Sequence, residues 1–314
     1  ALKDAEINYY KNLCKEHNLP IELSTATKVG HIKELKDTYP LTMLFKVTGI
    51  PKNTYHYHLK QSQKERADNE DYELIKNEFM KSHGRYGARR LKIAIEKETG
   101  VVMSKNKINR LMRKNNLKPI RRKKTYKSYK AQYSKLAPNL VKRNFKALEP
   151  MKKLTTDVTE FSFPWGKVYF QCYLDMFNSE IICYEISKTP SLDTTLSLLS
   201  NLIAKRNGNL KGIVIHSDQG WQYKHDSYIS ALKASHAKQS MSSKGNCYEN
   251  AIMENFFGVM KNDIFYGREM KFLNYESFKK EVENYIYEYN NIRIKTKLKD
   301  SPVGYRKKWE DSHK

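Results

Sequence analysis

Ile213-Val214-Ile215 is an unbroken run of β-branched residues, and the polar cluster Ser217-Asp218-Gln219-Gly220 follows almost directly. Such a run reads as a buried strand, which puts Asp218 on the loop at the strand's end, where open α/β sheets carry their chemistry. Beyond the Gly245-Asn246 turn, Glu249 to Lys261 carries Ile252, Phe256, Val259 and Met260 at three- and four-residue intervals, the apolar stripe of an amphipathic helix. The other face of that helix holds Asn250, Glu254 and Lys261. A carboxylate on a strand-end loop and another on a helix face can meet only in the folded chain, and both suit a hard divalent cation.

A third carboxylate lies upstream. Leu154-Thr155-Thr156-Asp157-Val158-Thr159-Glu160-Phe161 favours a strand, and alternation puts Thr155, Asp157 and Thr159 on one side. Asp157, Asp218 and Glu254 are therefore a candidate acidic triad, with 60 residues between the first pair and 35 between the second. Glu160 and Asp175 are secondary candidates. Strands are expected at 154–163, 167–175, 180–187 and 212–216, with turns at Pro164-Trp165-Gly166 and Phe177-Asn178-Ser179. A helix from Leu192 to Arg206, capped by Ser191 or Asp193, connects the third of these strands to the fourth, and a tyrosine-rich helix follows at Tyr275 to Tyr289. Strands, a crossover helix, a strand and further helices make a mixed α/β domain.

Charge divides the chain. Of the net +24, residues 1–150 hold 34 Lys+Arg against 15 Asp+Glu, a balance of +19, whereas residues 151–314 hold 24 against 19, or +5. From Thr99 to Leu148 there are 16 basic residues and no acidic one. A solvated charge run normally mixes signs, so a stretch of one sign implies an anionic partner, and nucleic acid fits. Its densest part, Lys118 to Lys135, interleaves Arg121, Arg122, Lys123 and Lys124 with Tyr126, Tyr129 and Tyr133, and could lie along a groove as an extended arm. The alternative is a flexible nonspecific linker.

Ahead of this arm the pattern is helical. Leu41 to Lys60 reads as two short helices around Gly49-Ile50-Pro51, a helix-turn-helix with Lys52, Asn53, Thr54 and His56 at the groove-facing start of the second helix, or else a small packing unit. Residues 61–71 are polar and mixed in charge, a linker by composition. Gly84-Arg85-Tyr86-Gly87 opens a further helix that Gly100 ends, and Ser104 caps the next. Arg85, Arg89, Arg90, Lys105, Lys107, Arg110 and Arg113 are phosphate-contact candidates, several of which would be merely solvated. Cys14, Cys172, Cys183 and Cys247 show no close pairing, which argues against a zinc knuckle or a disulfide framework. No apolar run approaches a membrane span or signal peptide, so a soluble intracellular protein is expected. Ala1 in place of methionine leaves open a chain processed, or cut from a longer fused product.

The ordered set Thr156-Asp157-Val158-Thr159, His216-Ser217-Asp218-Gln219-Gly220 with Tyr223, Ser243-Lys244-Gly245-Asn246, Asn250-Ala251 and Glu254-Asn255-Phe256-Phe257, with Lys261 seven residues after the glutamate, resembles the DDE transposases of bacterial insertion sequences. More narrowly, it is similar to the orfB-type catalytic protein of the third numbered insertion-sequence family, whose catalytic core is like that of retroviral integrases. The Tyr86-Gly87-Ala88-Arg89-Arg90 helix and the Ser104 to Met112 helix agree with it, as do Tyr289-Asn290, Arg293, Ser301-Pro302 and Tyr305-Arg306.

This resemblance implies a ribonuclease H-like α/β core, a mixed five-stranded sheet with helices, preceded by all-α helix-turn-helix units. The implied division is an amino-terminal helical segment at 1–36, a helix-turn-helix at 37–66, a second such unit at 67–118, the basic arm at 119–148, the core at 149–270 and a helical tail at 271–314. It further implies cleavage and transfer of DNA strands with Mg²⁺ or Mn²⁺, two ions per site. Asp157 would bridge the ions, with Asp218 on one and Glu254 on the other. Lys261 would contact DNA or pair with a neighbouring acid, while Asn250 and His216 would support the site from behind. Terminal inverted repeats and target DNA would be the partners of a homodimer or larger homo-oligomer, in the bacterial cytoplasm with the nucleoid and away from membranes.

Two departures stand out: Leu154 where the family commonly has Trp, and Glu249-Asn250 where it has Asp-Asn. Glu249 thus competes with Glu254 as ligand; the spacing to Lys261 and the following Phe-Phe favour Glu254. A DNA-binding regulator would explain the basic half but not the acids, and a metal-dependent nuclease would share the acids without joining strands.

Overall fold

The computed structural model describes residues 9, 24–120, 137–142, 144–242 and 251–313. Most of the amino-terminal segment, Arg121 to Lys124 with most of the basic arm, and Glu249 and Asn250 lie outside the described residues. The chain divides into two compact units, Ala1–Asn77 with Arg110–Asn115, and Glu78–Asn109 with Asn116–Lys314.

In the first unit, α1 (Thr25–Leu35) begins where the Ser24 hydroxyl accepts the Thr27 N–H at 3.2 Å. Helix α2 (Leu41–Thr48) ends on Gly49 in the left-handed region, φ 67°, a conformation glycine adopts without strain. Helix α3 (Lys52–Lys81) follows at once. Val29, Ile32, Leu44, Ile50 and Tyr55 form the small core between these helices. Two helices meet around Gly49-Ile50-Pro51 as expected, but the second is 30 residues long rather than short; Lys52 and Asn53 are exposed on its first turn and Thr54 is half-buried.

The expected linker at 61–71 is instead the middle of α3. Nothing between Lys52 and Lys81 is Gly or Pro, and Gln, Glu, Lys and Arg are good helix formers. Gln61 Nε2 donates to Glu65 Oε1 at 3.2 Å, one turn along. Polarity lacked a breaker, so the helix runs through.

The second unit opens with α4 (Ala88–Thr99), which ends on Gly100 at φ 72°, and includes the first residues of α5 (Lys105–Lys114), where the Ser104 hydroxyl accepts the Lys107 N–H at 3.1 Å. Its sheet contains β1 (Lys153–Phe163), β2 (Gly166–Asp175), β3 (Ile181–Ser187), β4 (Val214–Ser217) and β5 (Lys238–Met241), in the order β3-β2-β1-β4-β5. β1 and β2 form a hairpin whose register closes with Phe163 opposite Gly166. β3 continues antiparallel, while β4 pairs parallel with β1, and β5 parallel with β4.

Helix α6 (Leu192–Lys205) crosses between β3 and β4, and α7 (Trp221–Lys224) and α8 (Asp226–Ala234) lead to β5. Leu198, Leu199, Leu202, Tyr223, Tyr228 and Leu232 from these helices pack with Leu154, Tyr173 and Ile215 on one face of the sheet. The other face is covered by α9 (Ala251–Met260), a π-helical turn (Lys261–Phe265) and α10 (Tyr275–Asn291), whose Met253, Phe256, Phe278 and Val282 pack with Phe161, Phe170 and Cys172. A sheet buried on both faces is the layer architecture expected of mixed α/β sequences. Helix α11 (Pro302–Ser312) closes the described chain, and no helix among the described residues is long and apolar enough to cross a membrane.

Candidate active site

Register and alternation fix where the acids go. Thr155 of β1 lies opposite His216 of β4, the last pair of their parallel register; Asp157 follows two residues on within β1, and Asp218 two residues on, just past the end of β4. Adjacent strands lie about 4.8 Å apart. Phe161 and Phe163 belong to the core under α9 and α10. By two-residue alternation Asp157 shares that face. Ile213 and Ile215 belong to the opposite core, so His216 points toward the face of α9 and α10, and Asp218 follows on the loop after β4. Helix α9 packs on β1, burying Met253, Phe256, Phe257 and Met260 and leaving Glu254 exposed.

The carboxylates are held locally. Asp157 Oδ1 accepts the Val158 N–H at 2.7 Å, and Asp218 Oδ1 accepts the Gly220 N–H at 2.8 Å. Burial pushes the Asp218 carboxyl above its ordinary range, against the Gly220 hydrogen bond and the charges of Lys224 and His216. Burial alone raises Glu254. Among the described residues, neither Asp218 nor Glu254 has a basic partner in an ion pair. Among those residues, too, no three His, Cys, Asp or Glu side chains converge closely enough to hold a single ion. Asp157 and Asp218 each lie two residues beyond the last β1–β4 pair, and Glu254 lies on the helix that packs against β1.

Behind the pair lies a buried polar chain. Thr195 Oγ1 donates to Gln171 Oε1 at 3.1 Å, Gln171 Nε2 donates to the Tyr223 hydroxyl at 3.0 Å, and that hydroxyl lies 3.4 Å from Thr156 Oγ1. Both Asp157 and Asp218 act electrostatically on Tyr223, whose hydroxyl burial pushes far up. The sequence reading quoted Tyr223 without a role and passed over Gln171; a glutamine inside Val168-Tyr169-Phe170-Gln171-Cys172-Tyr173 was the available signal. On β4, His216 is wholly buried with Nδ1 2.9 Å from the Ser240 hydroxyl, which accepts the Leu140 N–H at 2.9 Å. His216 thus braces the strand that carries Asp218.

Lys261 follows α9 with its ammonium 5.2 Å from the centre of the Phe161 ring. Burial lowers its pKa, while Glu160 and Asp157 pull it back up. It makes no ion pair among the described residues. The secondary acids are structural. Glu160 bonds Lys167, Ser162 and Tyr169, each at 3.0 Å, and Asp175 accepts the Met151 and Phe177 N–H groups at 2.7 and 2.9 Å.

Several basic candidates are engaged inside the protein. Arg85 pairs with Glu288 of α10 at 2.7 Å, the Arg90 guanidinium is largely buried 5.9 Å over the Tyr86 ring, and Arg110 forks onto Asp68 at 2.7 and 2.6 Å. Sequence shows a charge but not its partner. Arg85 and Arg110 thus have carboxylate partners within the protein, although Arg110 stays exposed, as do Arg89, Lys105 and Arg113.

Residues 147–247 and 254–309 each match an integrase core domain, and residues 66–125 match an HTH-like domain. The transposase assigned to insertion sequence element IS150 of Escherichia coli K12 is 39% identical over 276 residues, 88% of this chain and 96% of that one. A transposase-like protein of Haemophilus influenzae is 38% identical over 207 residues, 66% of this chain and 94% of that one. Among solved structures, a chain of a simian T-cell lymphotropic virus intasome superposes with a TM-score of 0.45 at 12% identity, covering 68% of this chain and 70% of that chain.

Proposed function

The chain belongs to the insertion-sequence transposases, of the orfB type with a ribonuclease H-like integrase core, enzymes that cleave and join DNA strands, and from that premise we propose that Asp157, Asp218 and Glu254 are its catalytic carboxylates. The observation that supports the assignment is the β1–β4 register, which ends with Thr155 opposite His216 and leaves each aspartate two residues further along its own segment, with α9 packed against β1.

The donor set is all oxygen, since Cys172 opposite Asp157 is a buried thiol with a strongly raised pKa. Carboxylate oxygens fit Mg²⁺ or Mn²⁺ rather than zinc. Asp157, Asp218 and Glu254 would hold such ions between them, and a pair of ions would not require three side chains to crowd one point. When bound, such ions stabilise charge on the attacking and leaving oxygens of an in-line displacement.

The rest falls to the chain. Burial raises both Asp218 and Glu254, and among the described residues neither sits in an ion pair, so their charge is best satisfied by metal and substrate from outside. The Tyr223 hydroxyl fixes the floor between the aspartates, and His216 with Ser240 fixes the end of β4. Lys261, beside Asp157 but not bonded to it, offers a cation to a backbone phosphate of the bound end. Water opens one phosphodiester at the element end and leaves a 3′-hydroxyl; that hydroxyl then attacks a second phosphodiester and expels a new 3′-oxygen. No protein nucleophile is needed.

The helical units ahead of the core, with Lys52, Asn53 and Thr54 on the first turn of α3, bind the terminal inverted repeats. A homodimer or larger assembly holds two ends together. A Mg²⁺-dependent assay on labelled end oligonucleotides tests the assignment: Asp157→Asn, Asp218→Asn and Glu254→Gln each abolish cleavage and joining while duplex binding survives. Cleavage persisting in any one variant removes that residue from the set.

A further inference from the structure

Three cations share one acid in the second unit. Asp263 and Arg293 form a buried ion pair, and Tyr285 donates to the same carboxylate at 3.3 Å. Arg90 and Lys295 feel both of these charges. Arg90 is pushed below its ordinary range by burial and then by Arg293, and its Nε is buried with no hydrogen-bond partner among the described residues. Positive charge left over inside a protein is offset from outside or not at all.

Directly outside is a concavity of about 350 Å³, walled by the first turn of α4 (Gly87, Arg89, Arg90), by Lys105 of α5 and by Thr296. Among the described residues no carboxylate lines it. Arg89 and Lys105 are exposed. Gly87 caps α4 with no side-chain hydrogen bond, so the twelve-residue helix directs the positive end of its dipole and its first amides to this end. An ammonium, two guanidinium groups, a helix start and a hydroxyl around one hollow make an anion site, with the unpartnered Arg90 Nε behind it.

We propose that this concavity binds a backbone phosphate of duplex DNA, with Arg89 and Lys105 gripping its oxygens and Arg90 supplying charge from beneath. The proposal rests on the transposase reading for its choice of DNA over a free anion. It assigns the start of α4 to sequence-independent positioning. The site ties the DNA backbone to the segment that carries Arg293 and Lys295, within the same unit as the candidate active site.

The test measures binding of the full chain, without Mg²⁺, to two short duplexes across a series of salt concentrations. One duplex carries the element end and the other is unrelated. In the Arg89→Ala/Lys105→Ala double variant the slope of log affinity against log salt shrinks by about 1 to 2, and affinity falls roughly tenfold, for both duplexes alike. Thr296→Asp, which puts a negative charge into the hollow, weakens both duplexes in the same way, and a thermal midpoint within the wild-type range shows that each variant is folded. An unchanged slope overturns the proposal, including the case in which inorganic phosphate still stabilises the chain thermally, because the hollow is then a free-anion site. A loss confined to the element end also overturns it, since that is base readout. Strand joining by the Glu254 variants is read in a separate assay, so failure of the active-site assignment leaves this result standing.

Discussion

Replacing Lys295 with methionine will stabilise the protein, by an amount that depends on pH. Burial first, then the charges of Arg293 and Arg90, push the Lys295 ammonium from 10.5 to about 7, with Asp263 opposing. At roughly 1.4 kcal/mol per pH unit, holding this amine charged inside the fold costs on the order of 5 kcal/mol at full value. The side chain is half-buried, so the cost that survives relaxation and solvent screening is smaller. Methionine also forfeits the 2.6 Å hydrogen bond to the Tyr289 hydroxyl and the ammonium's place 4.2 Å over that ring, each worth about 1 kcal/mol. A net gain of about 2 kcal/mol near neutrality remains, or about 4–8 °C in Tm.

The unfolded amine keeps its proton up to 10.5 whereas the folded one releases it near 7. Between those values the unfolded chain binds more protons, so wild-type stability rises with pH and the advantage of methionine shrinks toward zero. Calorimetric melts of both proteins at intervals from about pH 6 to about pH 10 read this directly. A lower Tm for the variant at neutrality, or a gap that does not change with pH, refutes the reasoning.

Further perturbations probe the packing and the site. Tyr86→Phe removes the hydroxyl that accepts the Ile294 N–H at 2.8 Å, leaves a buried donor unpaired, and should cost about 1–3 kcal/mol in urea unfolding. Tyr223→Phe deprives Gln171 Nε2 of its acceptor beneath the two aspartates, so the Mg²⁺ concentration needed for half-maximal cleavage should rise several-fold while duplex affinity holds. Gly220→Ala puts a methyl group 2.7 Å from Gln222 Nε2 and 3.0 Å from Asp218 Oδ1; a cleavage rate reduced roughly tenfold or more with binding unchanged is expected, and full activity would mean that this loop yields easily.

Much of the core was legible because its residues carry strong local signals. The alternation across Leu154 to Phe163, the hairpin turn at Pro164-Trp165 and the Ile213-Val214-Ile215 run each define an element by themselves, and the strands form within a residue or two of the expected limits. The short β5, Lys238-Gln239-Ser240-Met241, had no such signal, since only Ser240 and Met241 are buried and the strand is made by pairing to β4. The continuation of α3 through 61–71 was hidden because a polar helix and a polar linker share a composition. At the site, residue types announced the acids, but only the fold brings their segments into register, with Thr155 opposite His216 two residues before each aspartate. The partners of Arg85 and Arg110 lie 203 and 42 residues away in sequence, beyond any local pattern. Likewise, the buried cations behind α4 become a cluster only when the segment around Arg293 packs against it.

The central claim, that the aspartates of β1 and β4 act with Glu254 of α9 in joining DNA strands, is tested most directly by a Mg²⁺-dependent strand-transfer assay. It uses labelled element-end duplexes and compares the intact protein with Glu254→Gln and with Glu249→Gln. Cleavage and joined product from the intact protein and from Glu249→Gln, with neither from Glu254→Gln despite undiminished duplex binding, is the predicted result. Joining by Glu254→Gln, or cleavage without joining by the intact protein under either Mg²⁺ or Mn²⁺, would contradict it.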